Sequence, residues 1–314
     1  MTEGRILITG ASGQIGTELV NALAQIHGGD RVIASDIKEH KFDNAIFVML
    51  DILNEQRIQE IIDDYQVTEI YHLAAILSAS GEWNPRKTWN VNLNALLRIF
   101  DLCVNSKVNK IFFPSSIAVF GGPTPKKQTP QHSPLVPTTV YGMSKLTGEL
   151  WSNYYYQRYG LDVRSIRYPG IISYGALPGG GTTDYAVEIF YEAIRTGTYT
   201  CFLREDTRLP MIYMEDAIRA TLDLMDAPAE HLGIRTSYNL SGMDFTPGEL
   251  VREIRKHIPE FEVTYAPDHR QAIADSWTES IDDSAARADW NWSPKYSLET
   301  MVADMIEHLR IKLS

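Results

Sequence analysis

The stretch Gly10-Ala11-Ser12-Gly13-Gln14-Ile15-Gly16 constrains this chain more than any other. It reads G-x-x-G-x-x-G and separates two segments of different period. Before it, Arg5–Thr9 (R-I-L-I-T) is a short apolar run of the kind a buried strand needs. After it, Ile15, Leu19, Leu23 and Ile26 recur at helical spacing over Gln14–Ile26. Glycine here lets the backbone turn tightly and approach a pyrophosphate, while the helix start offers free N–H groups and a positive dipole end. The same run also reads as a plain strand-to-helix turn. A second feature separates the two readings: Arg31–Ser35 is another strand-like run that stops at Asp36. An acid about 20 residues beyond the last glycine accepts hydrogen bonds from both ribose hydroxyls and repels a 2′-phosphate, which selects NAD over NADP. Without the glycine run, Asp36 would read as a solvated loop acid.

The alternation continues along the chain. Strand-like runs fall at Ala45–Leu50, Glu69–Ala74, Lys110–Pro114 and Asp162–Arg167, and helical periods at Asn54–Tyr65, Thr88–Asn105 and Tyr141–Tyr159. Strands alternating with helices build a parallel sheet covered on both faces. The fold class is therefore α/β: a Rossmann-type doubly wound parallel sheet. After Pro169 the pattern changes. Tyr174–Gly181 reads as a loop, helices are expected at Tyr185–Thr196, Glu215–Met225, Pro247–Lys256 and Leu298–Leu309, and short strands near Tyr199–Leu203, Ser237–Leu240 and Glu262–Thr264. Such a tail makes a smaller C-terminal mixed α/β substrate lobe. The expected division is a cofactor domain over 1–170, with segments near 204–238 returning to it, and a lobe over 171–203 and 239–314.

Composition removes several function classes. Lys+Arg number 29 against 40 Asp+Glu, a net charge of −11, which argues against a nucleic-acid surface or a polybasic membrane anchor. A diphosphate remains possible, because backbone N–H groups hold it locally. Cys103 and Cys201 are isolated, and the eight histidines form neither H-E-x-x-H nor a close pair, so no metal is expected. No apolar run reaches the roughly 18 residues of a membrane span. The first residues run straight into a strand, leaving no room for a leader, so the expectation is a cytoplasmic protein.

The chemistry-bearing residues cluster after the fourth, fifth and sixth strand-like runs. Tyr141-Gly142-Met143-Ser144-Lys145 is Y-x-x-x-K, and residues i and i+4 share a helix face. A free tyrosine has a pKa of about 10, and a neighbouring cation favours the phenolate and brings it into working range as a base. Alone, the spacing also describes an exposed helical pair. Ser115 and Ser116 lie just past a strand end, where ligands bind in open α/β sheets. Several further positions carry two readings. Asp51 with Ile52 suits a contact to adenine or a helix cap. Ala74-Ala75 suits close passage of a cofactor or tight helix packing. Gly179-Gly180-Gly181-Thr182-Thr183 before a helix suits a carboxylate site or a simple cap. Ser78 is a strand-end ligand or a surface serine. Asn92 braces its helix or a water chain to Lys145, or only packs. Trp277 covers the site when the lobe closes, or packs as an ordinary aromatic.

These residues also carry a resemblance. T-G-A-S-G-Q-I-G at Thr9–Gly16, Y-H-L-A-A at Tyr71–Ala75, N-V-N at Asn90–Asn92, P-S-S-I-A-V-F-G at Pro114–Gly121, Y-G-M-S-K at Tyr141–Lys145 and R-Y-P-G at Arg167–Gly170 resemble the extended short-chain dehydrogenase/reductases. The resemblance implies NAD held by Gly10, Ser12, Gly13, Gln14, Ile15, Gly16, Asp36, Asp51 and Ile52, and by Leu73, Ala74, Ala75, Asn92, Tyr168 and Ile171. It implies Tyr141 as general base, Lys145 on the nicotinamide ribose and Ser116 as the aligned serine, Ser115 being the lesser choice. L-P-G-G-G-T-T-D-Y-A at Leu177–Ala186, D-T-R-L-P-M-I-Y-M-E-D-A-I at Asp206–Ile218 and Ser-Trp-Thr at Ser276–Thr278 look like the metal-independent L-threonine 3-dehydrogenases of that group. Those enzymes oxidise the β-hydroxyl of L-threonine to 2-amino-3-oxobutyrate in threonine catabolism. The implied substrate contacts are Ser78, Ser116, Tyr141, Gly181, Thr183 and Trp277. The helices expected at Thr88–Asn105 and Tyr141–Tyr159 resemble the group's four-helix dimer interface, so a homodimer is expected. Two rivals stand: a nucleotide-sugar epimerase or dehydratase, whose diphosphate would call on cations such as Arg195, Arg204, Arg208 or Arg270, and a non-catalytic NAD-binding scaffold.

Overall fold

A computed structural model describes residues 4–175, 179 and 181–314; part of the loop expected over 174–181, namely 176–178 and 180, lies outside the described residues. Strand β1 (Arg5–Thr9) leads into helix α1 (Gln14–His27), followed by β2 (Val32–Asp36), β3 (Ile46–Met49), α2 (Glu55–Tyr65) and β4 (Val67–His72). Two short helices, α3 (Ser78–Gly81) and α4 (Pro85–Trp89), precede α5 (Ala95–Val104) and β5 (Lys110–Ser116). Then come α6 (Val140–Tyr159), β6 (Asp162–Tyr168) and β7 (Gly170–Ile172). The remainder comprises α7 (Tyr185–Arg195), β8 (Thr198–Cys201), β9 (Leu209–Tyr213), α8 (Met214–Asp226), β10 (Tyr238–Asn239) and β11 (Met243–Phe245). It ends with α9 (Pro247–Arg255), β12 (Glu262–Tyr265), α10 (His269–Ser276), α11 (Ser284–Trp290) and α12 (Leu298–Leu313).

Seven parallel strands form the main sheet in the order β10-β6-β5-β4-β1-β2-β3. Alternation along β1 sends Ile6 and Ile8 to one face, where they meet Leu19, Val20 and Leu23 of α1 and Ala217 and Leu224 of α8. Leu7 points the other way, into Ile58 and Ile61 of α2 and Ile99 and Phe100 of α5. Both faces are therefore covered, which explains the continuously apolar strands. The winding reverses between β1 and β4. Loops diverge there and leave a crevice at the carboxyl ends of the strands.

Two small sheets complete the molecule: β11-β9-β7, with β9 antiparallel to β11 and parallel to β7, and the parallel pair β12-β8. A third apolar cluster, with Phe190, Met211, Val251 and Met305, lies among them. Helix α8 packs on α1 and β6, and β10 joins the edge of the main sheet. Helix α11, flanked in sequence on both sides by residues of the third cluster, contacts β10, and its Trp290 sits in the cluster on the α1 face. The continuous helix expected at Thr88–Asn105 is interrupted by a π-type turn at Asn90–Asn94. Strands β7 and β11 and helices α3, α10 and α11 carry no period long enough to read in advance.

Candidate active site

The glycine run forms a cradle that side chains would fill. Gly10 has φ +73°, and a Cβ there would stand 2.6 Å from the Ala74 nitrogen. A Cβ on Gly16 would stand 2.4 Å from the Gly10 carbonyl oxygen. Gly13 caps α1 with no side-chain hydrogen bond, so the first N–H groups of the helix are left for another partner. The Ser12 hydroxyl beside them is buried and unpartnered among the described residues. An orphaned hydroxyl, uncapped N–H groups and a side-chain-free cradle together fit a diphosphate. Asp36 closes the site from β2: its carboxylate accepts from the Ser12 N–H (3.1 Å) and the Lys38 N–H (3.1 Å). A carboxylate has about four lone-pair positions, so capacity remains for hydroxyl donors. Asp51 and Ile52 follow β3, whose end lies beside Asp36: Met49 is the register partner of Asp36, and the Leu50 N–H donates to the Asp36 carbonyl (2.9 Å). The Asp51 carboxylate accepts from Leu53 N–H, the cap of α2 is Asn54, and the Ile52 side chain is packed into the core.

Below the cradle, a cavity of about 160 Å³ gathers residues from every strand end near the switch point. Gln14, Ile15, Leu73, Ala75, Ser78, Ser116, Tyr141, Lys145, Tyr168, Ile171, Gly181, Thr183 and Trp277 all line it, together with Thr182 and Asp184. A larger cleft of about 650 Å³ between α1 and α8 is flanked by Glu18, Glu69, Lys110 and Asp223 and has no serine–tyrosine–lysine set. The chemistry therefore lies in the smaller cavity.

Local packing explains how Ser116 and Tyr141 meet. Thr139 caps α6 by accepting from the Gly142 N–H (3.1 Å), and Glu82 accepts from the Val140 N–H (2.8 Å). A Cβ on Gly142 would fall 2.1 Å from the Ala118 carbonyl oxygen. The first turn of α6 is thus pressed onto the short turn Ile117–Val119 just after Ser116. The Ser116 and Tyr141 side chains line the same cavity, and the Ser116 hydroxyl favours the ionised phenol. Ser115 turns away and donates to Glu149 (2.5 Å), which pairs with Arg167 (2.8 Å) inside the core. The two serines are thereby distinguished: one faces Tyr141, the other supports the helix behind it.

The titration pattern departs from the expectation for a lysine-lowered tyrosine. Burial pushes the Tyr141 phenol up to about 12, while the Ser116 hydroxyl works the other way. Burial also brings the Lys145 ammonium down to about 7. Lys145 Nζ donates to the Pro114 carbonyl (2.7 Å) and stands 5.5 Å from the Tyr141 ring centre. Beneath them His72 is held near 3 by burial, with Lys145 adding to the effect; its ring hydrogen-bonds Thr9 (2.8 Å).

The remaining expected residues divide clearly. Asn92 braces: it accepts from the Ile76 N–H (2.8 Å) and donates to the Ile76 carbonyl (2.9 Å) and to Ser144 (3.5 Å). The π-type turn places it there, tying the loop after β4 to the residue before Lys145. Ala74 is packed against Gly10, and Ala75 lines the cavity. The glycine–threonine cradle is only partly open, because the Asp184 carboxylate already accepts from the Gly181 N–H (2.6 Å); Gly180 lies outside the described residues. Thr182, in the run read as a carboxylate site or a simple cap, has a buried hydroxyl with no partner among the described residues, and the Trp277 indole N–H is likewise buried and unpartnered there. Glu149 was also missed, although it continues the Tyr141–Lys145 spacing by four more residues. Lys145 is the one cation lining the cavity among the described residues. Arg204 pairs with Asp275, Arg208 with Asp244 and Glu249, and Arg270 with Asp268, while Arg195 lies over Tyr191.

The model of the NAD-dependent epimerase/dehydratase family matches residues 6–241. The chain is 48% identical over 306 residues to the mitochondrial L-threonine 3-dehydrogenase of Bos taurus, covering 96% of this chain and 82% of that protein. It superposes on the holo form of a GalE-like L-threonine dehydrogenase from Cupriavidus necator with a TM-score of 0.96 at 50% identity, covering 97% and 99% of the two chains. A monomeric L-threonine 3-dehydrogenase from a metagenome gives a TM-score of 0.96 at 48% identity, covering 98% and 100%.

Proposed function

Because the chain belongs to the NAD-dependent epimerase/dehydratase family, we propose that it is an NAD-dependent L-threonine 3-dehydrogenase that oxidises the β-hydroxyl to 2-amino-3-oxobutyrate without a metal. The observation that carries this reading is the content of one small cavity. Ser116 and Tyr141 line it together with a buried lysine, beside two donors unpartnered among the described residues, Thr182 and Trp277. A nucleotide-sugar would need cations for its diphosphate, and Arg204, Arg208 and Arg270 are engaged with carboxylates. The family model supports NAD, and Asp36 supports it over NADP by facing the cradle with a negative charge.

In this reading Gly10, Gly13, Gly16 and the α1 N–H groups hold the diphosphate. Bound NAD⁺ supplies the acceptor for the hydride from the substrate's β-carbon. The chain's own residues do the rest. Ser116 and Tyr141 bracket the substrate hydroxyl, and its proton passes to the Tyr141 oxygen. That oxygen must be ionised first, so turnover falls on the acid side. The Ser116 hydroxyl favours the ionised form. Lys145 holds the cofactor ribose, and Thr182, Thr183 and Ser78 receive the polar end of the amino acid while Trp277 excludes water. We propose the division at 1–170 with 204–238, and 171–203 with 239–314, apart from α11 and Trp292, which pack on the face of the main sheet that carries α1.

Two further parts of the proposal concern context. The outer face of α6 exposes Leu150, Trp151, Tyr154 and Tyr159, which suits pairing with a second copy; sedimentation tests this, and a monomeric species at working concentration removes it. No helix among the described residues is long and apolar enough to cross a membrane. We place the activity in the cytoplasm, in threonine catabolism. The deciding experiment is NADH formation with L-threonine, set against L-allo-threonine, L-serine and UDP-sugars. Tyr141→Phe should abolish turnover with NAD⁺ affinity retained; turnover within tenfold of wild type removes Tyr141 from its role.

A further inference from the structure

Trp277 lines the cavity, yet its indole N–H makes no hydrogen bond among the described residues. What holds the ring is packing and the backbone that carries it. That backbone is gripped by one residue outside the cavity. Lys126, half-buried in the loop between β5 and α6, donates from Nζ to the carbonyls of Asp275 (2.7 Å) and Trp277 (2.6 Å). These are end carbonyls of α10, which lack partners within the helix and attract a cation. The main-chain carbonyl of Lys126 accepts from Glu279 N–H (2.7 Å), Ser280 N–H (3.2 Å) and the Thr278 hydroxyl (2.8 Å).

Both ends of this residue therefore clamp the run 275–280. The loop is shaped for it. Gln128 adopts φ +46°, a left-handed turn that lets its own N–H donate to the Ser280 hydroxyl (2.8 Å) and Thr129 N–H to the Ser280 carbonyl (3.0 Å). Thr129 also hydrogen-bonds Thr278. The contacts thus join a loop that follows β5 to the segment presenting Trp277.

We infer that Lys126 is a positioning residue, a clasp that sets Trp277 over the substrate end of the cavity and so governs capture of the amino acid. This rests on the reading of the cavity as the L-threonine site. It predicts an effect on substrate binding with the proton-transfer set left alone, because Ser116, Tyr141 and Lys145 are held by other contacts.

The test is steady-state kinetics on Lys126→Met, with Lys126→Arg as rescue, beside ¹⁹F NMR of 5-fluorotryptophan-labelled protein. Apparent affinity falls with the fraction of molecules in the binding-competent state, so lowering that fraction to about a tenth raises the threonine KM about tenfold. The expected result is that rise in Lys126→Met, with kcat and the NAD⁺ KM within about twofold and most of the loss recovered by Lys126→Arg. The Trp277 resonance, identified as the one missing in Trp277→Phe, should shift or broaden in Lys126→Met. An unchanged threonine KM, an unmoved Trp277 resonance, or a parallel loss of kcat and NAD⁺ affinity each overturns the clasp. If Lys126→Met does not fold, Lys126→Gln, which keeps a single donor group, is read by the same criteria. If the wild-type protein forms no NADH with threonine, the substrate reading has failed. The clasp is then decided by the fluorine spectrum, which needs no turnover.

Discussion

Replacing Gly142 by alanine perturbs the proposed site without touching any group that reacts. The new Cβ would lie 2.1 Å from the Ala118 carbonyl oxygen and 2.8 Å from the Pro137 Cβ. The first neighbour is backbone, so it cannot rotate aside. Reaching ordinary contact requires α6 and the Ile117–Val119 turn to part by about 1 Å, a strain of the overpacking kind that costs about 1–3 kcal/mol. Tyr141 rides on one partner and Ser116 on the other, so the separation opens the distance between them. A misplacement of about 1 Å costs about 10²-fold in rate when the groups must be aligned. The assay is initial-rate NADH formation with saturating L-threonine and NAD⁺, paired with urea unfolding and calorimetric NAD⁺ binding. The expected outcome is a kcat lower by about two orders of magnitude, modest destabilisation and nearly unchanged NAD⁺ affinity, since the cradle lies on α1. A kcat within fivefold of wild type would falsify the claim that this contact sets the Ser116–Tyr141 geometry.

Other perturbations follow from the same structure. Asp36→Ala should weaken NAD⁺ and relax discrimination against NADP⁺; an unchanged ratio of kcat/KM for the two cofactors would remove Asp36 from that role. Arg167→Leu leaves Glu149 buried without its ion pair and should cost about 3–5 kcal/mol in urea unfolding, whereas a loss below 1 kcal/mol would mean the pair contributes little. Lys145 is held near 7 by burial, against an ordinary lysine value near 10.5, so between these limits the unfolded chain binds the extra proton. Stability of the cofactor-free protein should therefore rise with pH above 7, by up to about 1.4 kcal/mol per unit from this group. Lys145→Met should flatten that part of the slope, and equal slopes for the two proteins would contradict the assignment.

The parts of this molecule visible in its sequence are those decided by local period and by steric necessity. Alternation in R-I-L-I-T makes a strand with two buried faces, the spacing of Ile15, Leu19 and Leu23 makes a helix, and glycine between them is required by the φ of Gly10 and its approach to Ala74. The Asp36 and Tyr141–Lys145 positions follow from the same short-range arithmetic. Contacts between distant segments have no such signature. Strands β7 and β11, at 3 residues each, are too short to show a period, and with β9 they form a sheet only by pairing with one another. The choice of Ser116 over Ser115 depends on Glu149, 34 residues beyond Ser115, and the withdrawal of the arginines depends on ion partners such as Asp275, 71 residues from Arg204. Tertiary structure alone also set the titration of the pair. A spacing of four residues predicts that lysine lowers tyrosine; burial overrides it, raising one pKa and depressing the other because neither charge is solvated there. Sequence by itself determined what kind of sheet forms and which end of it can bind a dinucleotide, and only the packed molecule decided which side chains share a cavity and in what protonation state.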